Sequence, residues 1–198
     1  GDIGQSAAMY AEAHLGPSAG TAAPDAVTVN GFAGADGIRP FSETACRENR
    51  GIFVWIRASN KSAAAVQDFA DNSKAMMYER LADITNEIAS EKEMLGKSGY
   101  SCTGMVVGGT SPETTSKLRQ RYKNTIFLVP GYGSQGASAR DCLRFCRSDG
   151  TGALINSSRS IIFAYDKPEY QNEFGSDWKK CTEQAVLNAN SDLGIMFR

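Results

Sequence analysis

Five short apolar runs punctuate the sequence: Ala26-Val-Thr-Val29, Gly51-Ile-Phe-Val-Trp-Ile56, Thr103-Gly-Met-Val-Val107, Thr125-Ile-Phe-Leu-Val129 and Gly152-Ala-Leu-Ile155. They hold β-branched and aromatic residues with little alternation, and glycine, asparagine or proline follows most of them. Both features suit parallel strands covered on both faces. Helical spacing fills the gaps. Met77, Leu81, Ile84 and Ile88 form one apolar stripe on a helix over roughly 73–92. Ser111-Pro112-Glu113 reads as an N-cap, a first-turn proline and a first-turn acid, opening a helix through Leu118. Trp178, Cys181, Ala185 and Ala189 mark the buried side of a C-terminal helix, and Gln5 to Leu15 reads as helix at the other end. Gly16 to Ala23 and Gly31 to Arg39 read as loops, the second long enough to reach a ligand. The long gap between the second and third strands is expected to hold two helices. Strands alternating with helices make βαβ units and a parallel sheet.

The class of sheet follows from what is missing. A dinucleotide-binding open sheet needs G-x-G-x-x-G after its first strand, and Gly4, Gly16 and Gly20 do not supply it. Five strands do not close an eight-stranded barrel either. The expectation is an α/β chain, residues 1–198 forming one domain, that supplies about the last five βα units of a (β/α)8 TIM barrel. Its first strands and helices would then lie outside this sequence.

Composition narrows the partners. Lys plus Arg is 21 against 22 for Asp plus Glu, so no basic footprint marks nucleic acid. No apolar run approaches the roughly 20 residues of a membrane span. The five cysteines show no CxxC pair and fit reduced thiols in a cytoplasmic protein. Cys142 and Cys146 would share a helix face, where a metal or redox pair is the alternative. His14 is the sole histidine, which excludes a multi-histidine metal site.

The chemistry sits after the last two strands. Pro130-Gly-Tyr-Gly-Ser-Gln-Gly136 follows the fourth run, and Ser157-Ser-Arg-Ser160 follows the fifth. Loops after the last two strands, with a short helix N-terminus, build the phosphate site of many β/α barrels. Glycines let backbone approach an anion and let a loop open and close. Arg159, opening a short helical turn from Ser160 to Ala164, can grip two phosphate oxygens. Ser59 follows the second strand, where it is either a helix N-cap or a hydroxyl facing a ligand. Asp2 precedes a helix, where capping and a functional role both remain open.

Gly1-Asp-Ile-Gly4, Asp25-Ala-Val-Thr-Val-Asn30, Pro40-Phe41, Ser59-Asn60, Val106-Val-Gly-Gly-Thr110, Pro130 to Gly136 and Ser157 to Ser160 occur in order. Together they resemble orotidine 5'-phosphate decarboxylase, in the group with a Lys-Arg-Gly-Asp-Ile-Gly motif. The resemblance spans nearly the whole chain and weakens after about Ala164. It implies a TIM barrel that converts orotidine 5'-phosphate to UMP without metal or organic cofactor. It also implies a homodimer with shared sites, and leaves room for fusion to or association with an orotate phosphoribosyltransferase. By resemblance Asp2 is catalytic and reaches the partner's site, with Ile3 and Ser6 beside it. Ser59 meets the pyrimidine, Pro130 and Gln135 belong to the loop over the phosphate, and Arg159 grips the phosphate. Val107 would line an apolar wall near the departing carboxylate. Loss of carbon dioxide from C6 leaves a carbanion, which a lysine ammonium can stabilise and protonate. The motif's lysine would fall two places before Gly1, so the 198 residues alone are expected to be inactive. A metal-using phosphosugar decarboxylase or aldolase barrel, or a nucleotide-binding half without activity, are the competing expectations.

Overall fold

The computed structural model describes residues 3–110 and 112–194. Asp2 and Ser111 lie outside the described residues. In chain order the elements are α1 (Gly4–Leu15), β1 (Ala26–Asn30), α2 (Ala35–Arg47), β2 (Gly51–Arg57), α3 (Ala63–Gln67), α4 (Met77–Ala89) and β3 (Thr103–Val107). They continue with α5 (Pro112–Arg121), β4 (Phe127–Val129), α6 (Ala139–Leu143), β5 (Ala153–Ile155), α7 (Ser158–Ile162), α8 (Pro168–Phe174) and α9 (Trp178–Asp192). The five strands form one sheet in the order β1-β2-β3-β4-β5, every pairing parallel. This is the α/β layout read from the sequence, five consecutive strand–helix units in barrel order, with edges at β1 and β5.

The two faces of the sheet differ because side chains alternate along each strand. Val29, Ile52, Val54, Ile56, Met105, Val107, Phe127 and Val129 point to the helices and form the core with Leu15, Ile38, Ile88 and Phe145. On the other face Thr28, Phe53, Gly104, or Asn30, Trp55, Val106, Leu128, Leu154, follow one another across the sheet by register. Of these, Trp55 and Leu154 remain 43% and 53% exposed. A Cβ on Gly104 would stand 2.6 Å from the Phe53 ring and 2.7 Å from the Ile126 carbonyl oxygen. Glycine there lets Phe53 lie across β3.

Several local expectations change. The segment from Gly31 is not a loop: a 3-10 turn, Gly31–Ala33, leads directly into α2, so Asp36 and Arg39 are helical. The inward face of α2 is Gly37, Ile38, Ser42, Thr44 and Ala45, too polar and too small to print an apolar stripe. On α4 the fully buried residues are Tyr78, Ala82, Thr85, Ile88 and Ala89, a face rotated from the expected stripe and sharing only Ile88 with it. Trp178 is exposed, whereas Cys181 and Ala185 are buried with Ala164 and Tyr170 in a smaller cluster. Cys142 is on α6, but that helix ends at Leu143, so Cys146 shares no helix face with it. Burial pushes the Cys142 thiol up to about 11.

At the amino ends of the strands Arg119 turns inward from α5. It is 8% exposed and donates to the carbonyls of Thr125 (2.9 Å), Gly152 (3.3 Å) and Tyr122. Its guanidinium also lies 4.7 Å from the Phe127 ring centroid. One cation thus ties α5 to the chain entering β4 and β5.

Candidate functional site

Three loops meet over the carboxyl ends of β2, β3 and β4, with Ser59 at the meeting point. β2 reaches Ser59 through a bulge: Trp55 pairs with Val106 and Arg57 with Val107, leaving Ile56 as the extra residue. The Arg57 carbonyl accepts from the Gly108 amide at 2.9 Å, and the Ser59 carbonyl accepts from Thr110 Oγ1 at 3.1 Å. A Cβ on Gly108 would come within 2.6 Å of Ser59 Cα and 2.8 Å of its nitrogen. The β3 loop therefore lies directly on Ser59, and only glycine permits that approach.

The β4 loop closes over the same point. The Pro130 carbonyl accepts from the Gly109 amide at 2.9 Å. Gly131 has φ of +109°, and a Cβ there would stand 3.2 Å from Ser59 Cβ and 3.5 Å from Gln135 Oε1. Gln135 is thus folded back over its own loop toward Ser59. The loop is braced internally by Gly133 N to Ala137 O at 3.0 Å and Ala137 N to Gly131 O at 3.1 Å. Gly133, with φ of +73°, faces the next loop: a Cβ would meet Ser160 Oγ at 3.0 Å and Ser157 Oγ at 3.5 Å. Tyr132 points outward, its hydroxyl donating to Asp192 of α9 at 2.6 Å. Burial first, and that carboxylate second, raise the Tyr132 pKa above the usual phenol value.

Arg159 stands in the first turn of α7, just beyond β5, not before the helical turn as expected from the sequence. Its side chain is exposed and enters no ion pair among the described residues. The structure therefore brings Ser59, Pro130, Gln135 and the α7 turn bearing Arg159 to one end of the sheet.

Ile3 and Ser6 are elsewhere. Ser6 lies on the first turn of α1 and Ile3 just before it, 57% exposed and bordering a depression with Asp36, Arg39 and Glu43. Arg39 is bound bidentately to Glu91 at 2.7 and 2.9 Å, and that guanidinium lowers the Glu91 pKa. Val107 does not reach the concave face. It is fully buried in the helix-side core, and Val106 is the β3 residue in line with Trp55 and Leu128. Gly108 and Thr110 carried no individual role in the sequence, although their glycine and β-branched identities at the end of β3 were visible. Among the described residues no group of three or more His, Cys, Asp or Glu is placed to hold a metal ion. No helix among them is long and apolar enough to cross a membrane.

Residues 1–173 match the family model for orotidine 5'-phosphate decarboxylase / HUMPS proteins. The chain belongs to that family. An orotidine 5'-phosphate decarboxylase of Rhodopirellula baltica is 37% identical over 196 residues, which is 97% of this chain and 64% of that protein. The chain thus spans a little under two thirds of the length of this relative. Among solved structures, the UMP synthase of Leishmania donovani is similar with a TM-score of 0.69 at 26% identity, over 98% of this chain and 37% of that one. The OMP decarboxylase of the same organism gives a TM-score of 0.68 at 25% identity, over 97% of this chain and 65% of that one. The loops after β2, β3 and β4 and the α7 turn bearing Arg159 all fall inside the family match.

Proposed function

We propose that the chain forms the nucleotide-holding part of an orotidine 5'-phosphate decarboxylase, which converts orotidine 5'-phosphate to UMP in pyrimidine synthesis. The observation that carries this reading is the gathering of Ser59, Gln135 and the Arg159 turn at the carboxyl ends of β2, β4 and β5. A phosphate bound by Arg159 and the first amides of α7 would be partnered by a cation that has no carboxylate among the described residues. Gln135 then bridges phosphate and base, with Pro130 fixing the start of its loop. Ser59 reads the pyrimidine with its hydroxyl and its amide, and that amide has no hydrogen-bond partner among the described residues. A uracil edge presents both an acceptor and a donor, so a hydroxyl with an adjacent N–H suits it.

These groups bind and orient; none of them delivers a proton to carbon. That step calls for an ammonium beside C6, held charged by a carboxylate. We assign the carboxylate to Asp2, acting with Ile3 and Ser6 across a homodimer interface. The exposure of Ile3 at the start of α1 supports this assignment. The likeness to a UMP synthase supports association with a phosphoribosyltransferase, and a cytoplasmic location fits the free cysteines.

Calorimetric titration of the chain with UMP and with ribulose 5-phosphate tests the reading. The expected result is binding of UMP in clear preference to the sugar phosphate. Preference for ribulose 5-phosphate would overturn it in favour of a phosphosugar barrel.

A further inference from the structure

Arg57 is a buried arginine at the end of a strand, and it does not face solvent or ligand. It is 7% exposed, and its fork is closed on Asp68 through Nε to Oδ1 and Nη2 to Oδ2, both at 2.7 Å. The third arm, Nη1, donates to the Ala58 carbonyl at 3.0 Å. The adjoining residue, Gln67, uses Oε1 to accept the Ala58 amide at 2.8 Å. Both main-chain polar groups of Ala58, the residue just before Ser59, are therefore held by side chains, and two of the three side chains come from one place, the end of α3 and its first following residue.

Backbone hydrogen bonds in a strand usually come from neighbouring strands. Here β2 ends at Arg57, just past the bulge at Ile56, and from Ala58 side chains take over. With the Gly108 amide on the Arg57 carbonyl and Thr110 on the Ser59 carbonyl, every main-chain group from the Arg57 carbonyl to the Ser59 carbonyl has a partner except the Ser59 amide. Burying a guanidinium for this purpose is costly unless its fork is filled, which the bidentate pairing with Asp68 achieves. Hydrogen bonding to Asp68 raises the Arg57 pKa against the opposing effect of burial.

We propose that Arg57, Asp68 and Gln67 are positioning residues that fix the Ser59 amide and hydroxyl toward the base, and so set the preference for a uracil edge over a cytosine edge. This rests on the reading of Ser59 as the base contact. A uracil edge and a cytosine edge differ only in donor and acceptor order, so sub-ångström placement of one N–H decides between them. The clamp touches no part of the phosphate grip.

The test titrates UMP, CMP and ribose 5-phosphate into the full chain and its variants Gln67→Met, Gln67→Glu, Asp68→Asn, Arg57→Lys and Ser59→Ala. Gln67→Met keeps the volume and loses the acceptor, while Gln67→Glu keeps an acceptor oxygen. The expected result is a loss of UMP affinity of about tenfold in Gln67→Met and Asp68→Asn, a falling UMP-to-CMP ratio, and ribose 5-phosphate binding within about twofold of wild type. Gln67→Glu restores UMP binding. Arg57→Lys behaves as Asp68→Asn if it folds, and the Gln67 pair decides the matter if it does not. UMP binding lost in Ser59→Ala but intact in Gln67→Met and Asp68→Asn would overturn the clamp alone. Equal losses for UMP and ribose 5-phosphate would overturn it as a general structural defect. Wild-type chain that ignores UMP, or Ser59→Ala that binds it fully, would overturn the base-contact reading and the clamp's role with it.

Discussion

Two arginines at opposite ends of the sheet show how one side chain serves two purposes. Arg119, under the amino ends of β4 and β5, is buried and surrounded by carbonyl oxygens. Arg159, beyond the carboxyl end of β5, is exposed and enters no ion pair among the described residues. The first spends both terminal nitrogens on the protein's own carbonyls. The second has no side-chain hydrogen-bond partner among the described residues. In β/α folds the carboxyl ends of strands carry function and the amino ends carry stability, and the role proposed for Arg159 would place the two guanidiniums on either side of that division.

The comparison is broken most forcefully at Arg119. Burial lowers its pKa, and it has no carboxylate among the described residues, so carbonyl oxygens and the Phe127 ring carry the charge. Arg119→Met leaves several buried carbonyls unpartnered and is expected to cost about 3 kcal/mol of stability, each orphaned acceptor contributing about 1–3 kcal/mol before relaxation. Thermal or urea unfolding measures the loss. Affinity for UMP, measured where the variant is folded, is expected to stay within about twofold. Arg159→Ala is the mirror experiment. UMP binding should weaken by about 2–4 kcal/mol, because a charge-assisted pair to phosphate is lost, while the melting temperature is unchanged. A variant of Arg159 that melts earlier but binds UMP normally would erase the distinction.

How much of this was legible follows the same division. The five strands were readable because parallel strands are written as continuous apolar runs with β-branched and aromatic residues. The phosphate-type loops were readable because Gly131, Gly133 and Arg159 are special by residue type. Arg119 was not, since α5 reads as a polar surface helix, Pro-Glu-Thr-Thr-Ser-Lys-Leu-Arg-Gln-Arg, and nothing in that order says which arginine turns inward. Arg57 was hidden by the opposite effect: the apolar run stops at Ile56, so the charge after it looks like the start of a loop. The register bulge that buries it is a property of two strands, not of one. The start of α2 was misread because glycines and an aspartate signal a turn locally, while packing against α1 and β2 made it helix.

Gly108 sharpens the picture between these extremes, since it lies at the functional end yet is sealed by packing. Gly108→Ala would place a methyl 2.6 Å from Ser59 Cα, a backbone atom that cannot step aside. The cost expected is about 1–3 kcal/mol of stability from overpacking, together with weaker UMP binding as Ser59 is displaced. Both losses in one variant are the signature expected where a packing residue supports a ligand contact. Stability lost with UMP affinity intact would mean that Ser59 tolerates displacement and is not the base contact.

The smallest effect is expected at Tyr132, and it asks to which end the phosphate loop's outer anchor belongs. The loop's inner side carries Gln135, the group proposed to meet the ligand, while the Tyr132 hydroxyl donates to Asp192 at 2.6 Å, joining the loop to α9. Tyr132→Phe removes one hydrogen bond and is expected to cost about 0.5–1.5 kcal/mol of stability. Hydrogen exchange in α9 should rise in that variant, with UMP affinity changed less than in Arg159→Ala. The pH dependence gives an independent check of sign. The folded-state pKa of Tyr132 is raised above the ordinary phenol value of 10.0, by burial first and by the Asp192 hydrogen bond next. The folded state therefore favours the protonated phenol, and its contribution is complete below pH 10 and lost as pH rises through the folded value. The stability difference between wild type and Tyr132→Phe should accordingly be constant from pH 7 to pH 9 and shrink above about pH 10. A difference that grew with alkali would mean that Asp192 stabilises the phenolate, which its own negative charge forbids, and the anchor would have to be something other than this hydrogen bond.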